Sequence, residues 1–377
     1  MSTLDGKLWS ETPLIFSSHI SARLGCNAYL KLENLQPSQS FKYRGISLFV
    51  QHALRTHGPD THLIIASGGN AGLAAACAAK ALCLRCTIFL PEGVSRSTID
   101  FMRREGANVV TAGRCYAQAL AKAEEVVVAD PKAVLVPAYD NSILWEGHAS
   151  MITEIVQQLP PGTTPAAIFC SVGGGGLLGG VLQGCRSVGW DHEVPVVALE
   201  TLGSNSFYQS LALNPGAFTA TESHLPPEGV RAEHDSVHNV NVAHLSTLKS
   251  RATSLGASSA SAAVVKMALD RKGGLKSVCL PDEFLMKTAR SFAEEHKMLV
   301  ELACAATLTS AYNPALFEKI LPSSPSGSPR TVVFIVCGGF KVDLEELEEY
   351  RTGVQADANN GSKWQVLCNG EQWALDM

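Results

Sequence analysis

Short apolar runs alternate with amphipathic stretches through most of the chain up to Glu200. Ala28-Tyr29-Leu30-Lys31-Leu32-Glu33 has the two-residue period of a strand, and residues 45–56 have the period of a helix. His62–Ala66 is a short apolar strand, followed by the alanine-rich run Ala71–Ala81, a helix by propensity. A strand over 84–90, a helix from Ser97 to Glu105 stopped by Gly106, a strand at Asn108–Thr111, a helix over about 115–127 and a strand at Ala133–Pro137 continue the alternation. Such short βα connections predict parallel sheet covered by helices. A long amphipathic helix then runs from Asn141-Ser142 through Trp145 and Ile152 to Leu159, where Pro160-Pro161-Gly162 ends it. A second series opens with strand Ala166–Val172, helix 177–188 and strand Val194–Glu200. Residues 214–248 read as an irregular excursion and 321–330 as a surface loop before the strand Thr331–Val336. Beyond about residue 352 the chain is polar, without clear period, and is expected to be peripheral.

The 377 residues are enough for two domains, or for one large α/β unit with a subdomain. A hydrophobic share of 46% and a charged share of 17% describe a compact chain that buries a large core. A net charge of −5 gives no electrostatic reason to expect nucleic acid or an anionic membrane as partner. No apolar run is long enough to span a bilayer, and MSTLDGKLWSETP has no signal-peptide core, so the cytosol is the expected compartment. The eleven cysteines are odd in number and lie mostly in apolar runs, which predicts buried free thiols. Cys83 and Cys86 form a lone CxxC without the second pair or histidine that a zinc site needs.

Three segments carry candidate chemistry. Ser171-Val172 leads into Gly173-Gly174-Gly175-Gly176-Leu177 between a strand and a helix, where unbonded N–H groups and the helix dipole attract an anion. Gly174, Gly176 and Gly179 also satisfy G-x-G-x-x-G, with Glu200 closing the next strand, so dinucleotide binding stays open. Ser67-Gly68-Gly69-Asn70 is a second anion site of the same kind, with Asn70 placed to cap the helix. Cys337 ends the last strand, where ligands of open α/β sheets lie. Lys42, in Ser40-Phe41-Lys42-Tyr43-Arg44, sits where a loop enters a helix beside an aromatic ring, and a desolvated lysine there is a candidate imine-forming amine. Two anion sites, a lysine and a strand-end thiol, with no obvious catalytic histidine, fit a phosphorylated aldehyde cofactor held as an imine better than hydride transfer.

Taken together and in this order, these motifs resemble those of fold-type II pyridoxal-phosphate enzymes, and in particular the short L-serine/L-threonine dehydratases, over about residues 9–345. Leu35–Ser38, Leu144-Trp145-Glu146-Gly147-His148-Ala149-Ser150 and Glu200–Ser206 support the match. The resemblance implies a tryptophan synthase β-like α/β fold of two open, twisted, mostly parallel sheets flanked by helices. It divides the chain into a large cofactor-binding domain (1–38 and 142–350), a small substrate-binding domain (39–141) and a C-terminal tail (351–377). It makes Lys42 the Schiff-base lysine and gives the cofactor phosphate to Gly173, Gly174, Gly175, Gly176 and Leu177. Asn70 would meet the phenolic oxygen, while Ser67, Gly68, Gly69 and Asn70 would bind the substrate carboxylate. Phe41 and Ser254 would cover the two ring faces, and Cys337 would meet the pyridine nitrogen. A neutral thiol there makes the ring a weaker electron sink than a carboxylate would, which suits elimination. A monovalent cation, K+ for example, is implied at Gly173, Glu200, Ser204, Ser206, Leu255 and Ala257.

The implied reaction is β-elimination. The amino acid displaces Lys42, whose freed amine takes the α-proton; the β-hydroxyl leaves with a proton from the cofactor phosphate. Hydrolysis releases ammonia with pyruvate from serine or 2-oxobutyrate from threonine. Gly68, which stands where some relatives have alanine, is expected to enlarge the pocket or loosen the substrate. No regulatory domain is expected after the catalytic part, so a catabolic role in the cytoplasm, feeding gluconeogenesis, is expected; the resemblance alone implies a homodimer. Alternatives are β-replacement of the cysteine or cystathionine synthase kind, a racemase, a dinucleotide-dependent oxidoreductase, and a silent cofactor carrier.

Overall fold

The computed structural model describes residues 6–216, 218, 226–323, 329–358 and 363–376. In chain order the strands are β1 (Leu14–Phe16), β2 (Asn27–Leu32), β3 (His62–Ala66), β4 (Arg85–Leu90), β5 (Asn108–Thr111), β6 (Ala133–Leu135), β7 (Ala167–Ser171), β8 (Val196–Thr201), β9 (Val230–Asp235), β10 (Val240–Leu245), β11 (Leu275–Leu280), β12 (Thr331–Val336), β13 (Trp364–Cys368) and β14 (Glu371–Leu375). The helices are α1 (Ser18–Leu24), α2 (Lys42–His57), α3 (Asn70–Ala81), α4 (Arg96–Arg104), α5 (Tyr116–Ala129), α6 (Ser142–Gln158), α7 (Gly176–Ser187), α8 (Ser206–Ala212), α9 (Ala262–Leu269), α10 (Asp282–His296), α11 (Leu302–Tyr312), α12 (Pro314–Ile320) and α13 (Leu344–Ala358).

The larger sheet runs β1-β2-β12-β7-β8-β11-β13-β14. Its centre, from β2 through β12, β7 and β8 to β11, is parallel, and antiparallel strands close both edges. β7, β8 and β12 are buried along their whole length, as expected of parallel strands covered on both faces. The smaller sheet, β5-β4-β3-β6, is parallel throughout. This is the predicted fold class. Among the described residues no helix is long and apolar enough to cross a membrane.

Two segments depart from expectation. The excursion at 214–248, of which 217 and 219–225 lie outside the described residues, contains an antiparallel ribbon of β9 and β10. Nor is the C-terminal segment peripheral: β13 pairs with β11, and the Trp364 ring stacks on Phe284 at 3.9 Å between centroids. Residues 359–362 and 377 of that segment, 324–328 of the 321–330 loop and the N-terminal residues 1–5 also lie outside the described residues.

The packing of α6 sets the position of the site. A Cβ on Gly147 would lie 2.6 Å from the Arg44 carbonyl and from Gly45 Cα, so α2 and α6 touch backbone to backbone. A Cβ on Gly180 would lie 2.3 Å from the Cβ of His148, the residue after Gly147, and this close approach seats α7 against α6. Helix α6 thereby fixes the start of α2 relative to the start of α7.

Candidate active site

Lys42 is the first residue of α2, a turn earlier than the periodicity predicts. The loop before it is stitched to the end of β12: Phe41 N–H donates to the Cys337 carbonyl (3.0 Å), and Ser40 forms a β-bridge with Gly338. The Lys42 ammonium donates to the Ala138 carbonyl at 2.6 Å and lies 5.3 Å from the Phe41 ring centroid. Burial lowers its pKa to about 8, opposed only by the nearby Cys337 thiol. The positive pole at the start of α2 acts in the same direction as burial.

Beneath Phe41 lies His148, its ring edge-on at 4.9 Å. Its Nδ1 accepts the Gly45 N–H (3.2 Å), one of the donors at the start of α2 that have no helical partner. Burial, Lys42 and Arg44 hold its pKa well below the usual histidine range, so the ring is neutral and free to accept. Arg44, two residues after Lys42, is fully buried and bonded to both Glu33 and Glu154.

The glycine segment forms a cradle at the start of α7. Gly175, at φ +97°, precedes the helix in a conformation side chains disfavour. A Cβ on Gly174 would fall 2.4 Å from the Tyr139 ring, and one on Gly173 would fall 3.1 Å from Leu255. Tyr139 is fixed in turn: its carbonyl accepts Trp145 Nε1 (2.9 Å) and its hydroxyl donates to the Ser259 carbonyl (3.4 Å). Tyr139, Leu255 and Val264 pack so close to the glycines that side chains have no room, and the first-turn N–H groups of α7, through Leu177, are of the kind that fits a phosphate.

Asn70 is not the cap of α3. Gly69 takes that position, and Asn70 is the first helical residue. Its amide is directed elsewhere: Nδ2 donates to Glu301 Oε1 and to Ser254 Oγ, both at 3.2 Å, and Oδ1 accepts Phe340 N–H (3.3 Å). The Ser67 hydroxyl accepts Gly69 N–H at 3.3 Å, keeping the 67–70 loop tight. The space an alanine methyl would take at position 68 is already filled by Val94, whose Cγ2 lies 2.8 Å from that point, so Gly68 does not leave an enlarged pocket there. Cys337 is buried, and its hydrogen-bonding neighbours are neutral: the Ser171 hydroxyl at 3.4 Å and the Cys304 thiol.

Among the six residues expected around a cation, Gly173 lies against Leu255, whose carbonyl accepts both the Ser204 hydroxyl (2.8 Å) and Ala257 N–H (2.8 Å). Glu200 is fully buried and accepts Phe207 N–H (3.0 Å) and Tyr208 N–H (2.7 Å) at the start of α8, where Ser206 is the first residue. Burial pushes its carboxyl up to about 8 despite those two donors. A buried carboxyl with no counter-charge among the described residues fits an added cation, which would favour its ionised form. It does not fit a ribose, because both oxygens are already turned into the protein, and this removes the second half of the dinucleotide fingerprint.

Sequence reasoning missed Tyr139, His148, Arg44 and Glu301. The motif at 144–150 carried a signal for His148, and the Arg44 of the lysine pentapeptide was visible as a charge. Tyr139 and Glu301 reach the site only through the fold.

A lysine amine held near neutral pH, on the same side of an open parallel sheet as a phosphate cradle, defines an α/β enzyme that works through a phosphorylated aldehyde. Residues 7–338 match the family described as "Pyridoxal-phosphate dependent enzyme", and the chain belongs to it. It is 36% identical to the mouse protein "Serine dehydratase-like" over 90% of this chain and 93% of that one. It is 34% identical to human "L-serine dehydratase/L-threonine deaminase" over 89% and 93%. The solved structure of a fungal L-serine ammonia-lyase from Rhizomucor miehei superposes with a TM-score of 0.76 at 32% identity, covering 92% of this chain and 99% of that one.

Proposed function

We propose that this protein is an L-serine/L-threonine ammonia-lyase, releasing ammonia with pyruvate from L-serine and with 2-oxobutyrate from L-threonine. The observation that carries this reading is the placement of Lys42, buried and with its pKa lowered to about 8, at the start of α2, where the preceding residue Phe41 is bonded to Cys337 at the end of β12. Of the similar proteins named above, the human one is an L-serine dehydratase/L-threonine deaminase, the fungal one an L-serine ammonia-lyase and the mouse one serine dehydratase-like, which supports the same conclusion. When bound, pyridoxal phosphate supplies the electron sink that makes the substrate α-proton acidic.

In this reading the chain's own residues divide the work. Lys42 carries the cofactor and then takes the α-proton at its Nζ, a task suited to a base with a pKa near working pH. Gly173 to Leu177 hold the phosphate through N–H groups, and Asn70 donates to the phenolic oxygen. Phe41 and Ser254 flank the ring, while the 67–70 loop orients the substrate carboxylate. Cys337 meets the ring nitrogen without charging it. The unit 39–141 serves as the substrate-binding domain against a cofactor-binding unit of 1–38 and 142–350. The protein acts as a cytosolic homodimer in amino-acid catabolism, with K+ at Glu200, Ser204, Ser206, Gly173, Leu255 and Ala257. Exchanging K+ for tetramethylammonium should lower its activity, and sedimentation should give the mass of a dimer.

The decisive experiment replaces Lys42 with alanine. Wild-type protein should be yellow and form keto acid from L-serine; Lys42→Ala should lose both the cofactor band and the product. Retention of both by the variant, or formation only of a β-substituted amino acid by the wild type, would sink the assignment.

A further inference from the structure

We propose that Glu301 is a positioning residue that sets Asn70 and Ser254 around the cofactor ring, tying the two sheets together at the site. The proposal rests on the reading of Asn70 and Ser254 given above. Glu301 stands at the start of α11, yet its side chain makes no bond to that helix's free N–H groups. The carboxylate turns into the cleft instead. It is 6% exposed and lies flat on Gly339, where a Cβ would come within 2.3 Å of its Cδ. Gly339 has φ +130°, a conformation side chains disfavour, and the carboxylate occupies the place its side chain would take.

Three donors converge on it. Oε1 accepts Asn70 Nδ2 (3.2 Å) and Lys341 N–H (3.1 Å), and Oε2 accepts the Ser254 hydroxyl in a short bond. Asn70 also donates to Ser254, which closes a ring of three side chains. Asn70 follows β3 of the smaller sheet. Ser254, Glu301 and Lys341 lie in segments packed on the larger sheet, so this ring spans the junction.

Donor counting assigns the hierarchy within the ring. An asparagine amide has two N–H donors, and here both have partners. If the cofactor's phenolic oxygen takes one, Asn70 must release either Ser254 or Glu301. The Ser254 hydrogen already points at Glu301, so Ser254 loses nothing of its own when Asn70 leaves it. Glu301 offers an ionised acceptor, the stronger partner. The Asn70–Ser254 bond is therefore the one given up, and Glu301 keeps hold of both residues. The Ser254 face of the ring and the phenolic oxygen are then both referred to one carboxylate.

A double-mutant cycle on the holoenzyme tests this. Glu301→Gln keeps the shape but replaces one acceptor oxygen with a donor, so it should lower kcat/KM for L-serine by about 10- to 100-fold, the worth of a bond to a charged group. It should also shift the absorbance band of the bound cofactor, which a general loosening of α11 would not move. Asn70→Ala should show the same two effects, and the double variant should be no worse than Asn70→Ala alone. Multiplicative losses, or an unshifted band in Glu301→Gln, would overturn the role of Glu301 while leaving Asn70 in place. An unaffected Asn70→Ala would instead overturn the Asn70 reading, and this inference with it. Should Glu301→Gln not fold, Asn70→Ala and Ser254→Ala replace it, with coupled losses expected and independent ones contradicting the proposal.

Discussion

Replacing Arg44 with methionine should unfold this protein far more easily without touching a group that reacts. The guanidinium is fully buried, and all its N–H groups find acceptors. Nε and Nη2 donate to the two oxygens of Glu33 (both 2.7 Å), while Nη1 and Nη2 donate to those of Glu154 (2.7 and 2.6 Å). Nη1 also reaches Ser150 (2.9 Å) and Nη2 reaches Thr12 (3.3 Å). Lys31 donates to Glu154 at 2.6 Å, so two cations meet two carboxylates and the cluster is neutral. Methionine keeps an unbranched apolar stem but is shorter and has no donors. In its presence Glu154 keeps Lys31, whereas Glu33 keeps only Thr12 (2.6 Å) and Gln36 (3.2 Å) and becomes an unpaired buried charge.

Breaking a buried pair in this way costs about 3–5 kcal/mol, and with a urea m-value of about 3 kcal/mol/M the midpoint should fall by about 1 M or more. Adding Glu33→Gln removes the stranded charge and should recover at least half the loss. The measurement is urea unfolding of the holoenzyme, followed by far-UV circular dichroism at neutral pH. A loss under about 1 kcal/mol for Arg44→Met, or no recovery in the double variant, would refute the reasoning, because the penalty is attributed to an unpaired charge. The cluster also predicts an acid limb. Arg44 and Lys31 hold the Glu154 carboxyl below its ordinary value of 4.5, although burial opposes them. A carboxyl depressed in the folded state contributes stability above that ordinary value and loses it as pH falls through the folded one. The wild type should therefore lose stability below about pH 4.5 more steeply than Arg44→Met does.

Uptake of pyridoxal phosphate by the apoprotein needs a neutral Lys42 amine, so its rate should rise with pH through about 8. A midpoint near the ordinary lysine value of 10.5, followed by absorbance, would contradict the burial argument. Gly174→Ala drives a methyl into the Tyr139 ring, and overpacking of about 1–3 kcal/mol should weaken cofactor binding by about 10- to 100-fold in an equilibrium titration. Trp364→Ala removes a ring stacked on Phe284 and 4% exposed, and should cost about 3–5 kcal/mol in urea unfolding if the C-terminal hairpin is part of the core.

The sequence was legible where a local pattern has one meaning. β3, β5 and β12 begin and end where their apolar runs do, and the cradle before α7 could be read from its glycines alone. The C-terminal hairpin was readable too, but its signal is thin. Trp364, Val366 and Cys368 alternate inward, and Asn369-Gly370, both at positive φ, form the turn. Polar Gln365 on β13 and Glu371 and Gln372 on the edge strand β14 are exposed and mask that alternation. The rest was beyond any window. Glu301 lies 231 residues from Asn70 and 47 from Ser254, and Glu154 lies 110 from Arg44, so only the folded chain gives these carboxylates their meaning.

The Arg44 cluster bears on the chemistry through its neutrality. An unpaired guanidinium two residues from Lys42 would repel the ammonium, but the Lys42 pKa is set by burial, with only Cys337 opposing it. Glu33 and Glu154 thus anchor the start of α2 without imposing a field on the amine it carries. Removing Arg44 alone leaves a net negative charge, which favours the ammonium and should move the midpoint of cofactor uptake above 8. Arg44→Met with Glu33→Gln restores neutrality and should return the midpoint toward its starting value, even where stability is only partly recovered. If instead the midpoint followed stability through all three proteins, Lys42 would be responding to loosened packing and not to charge.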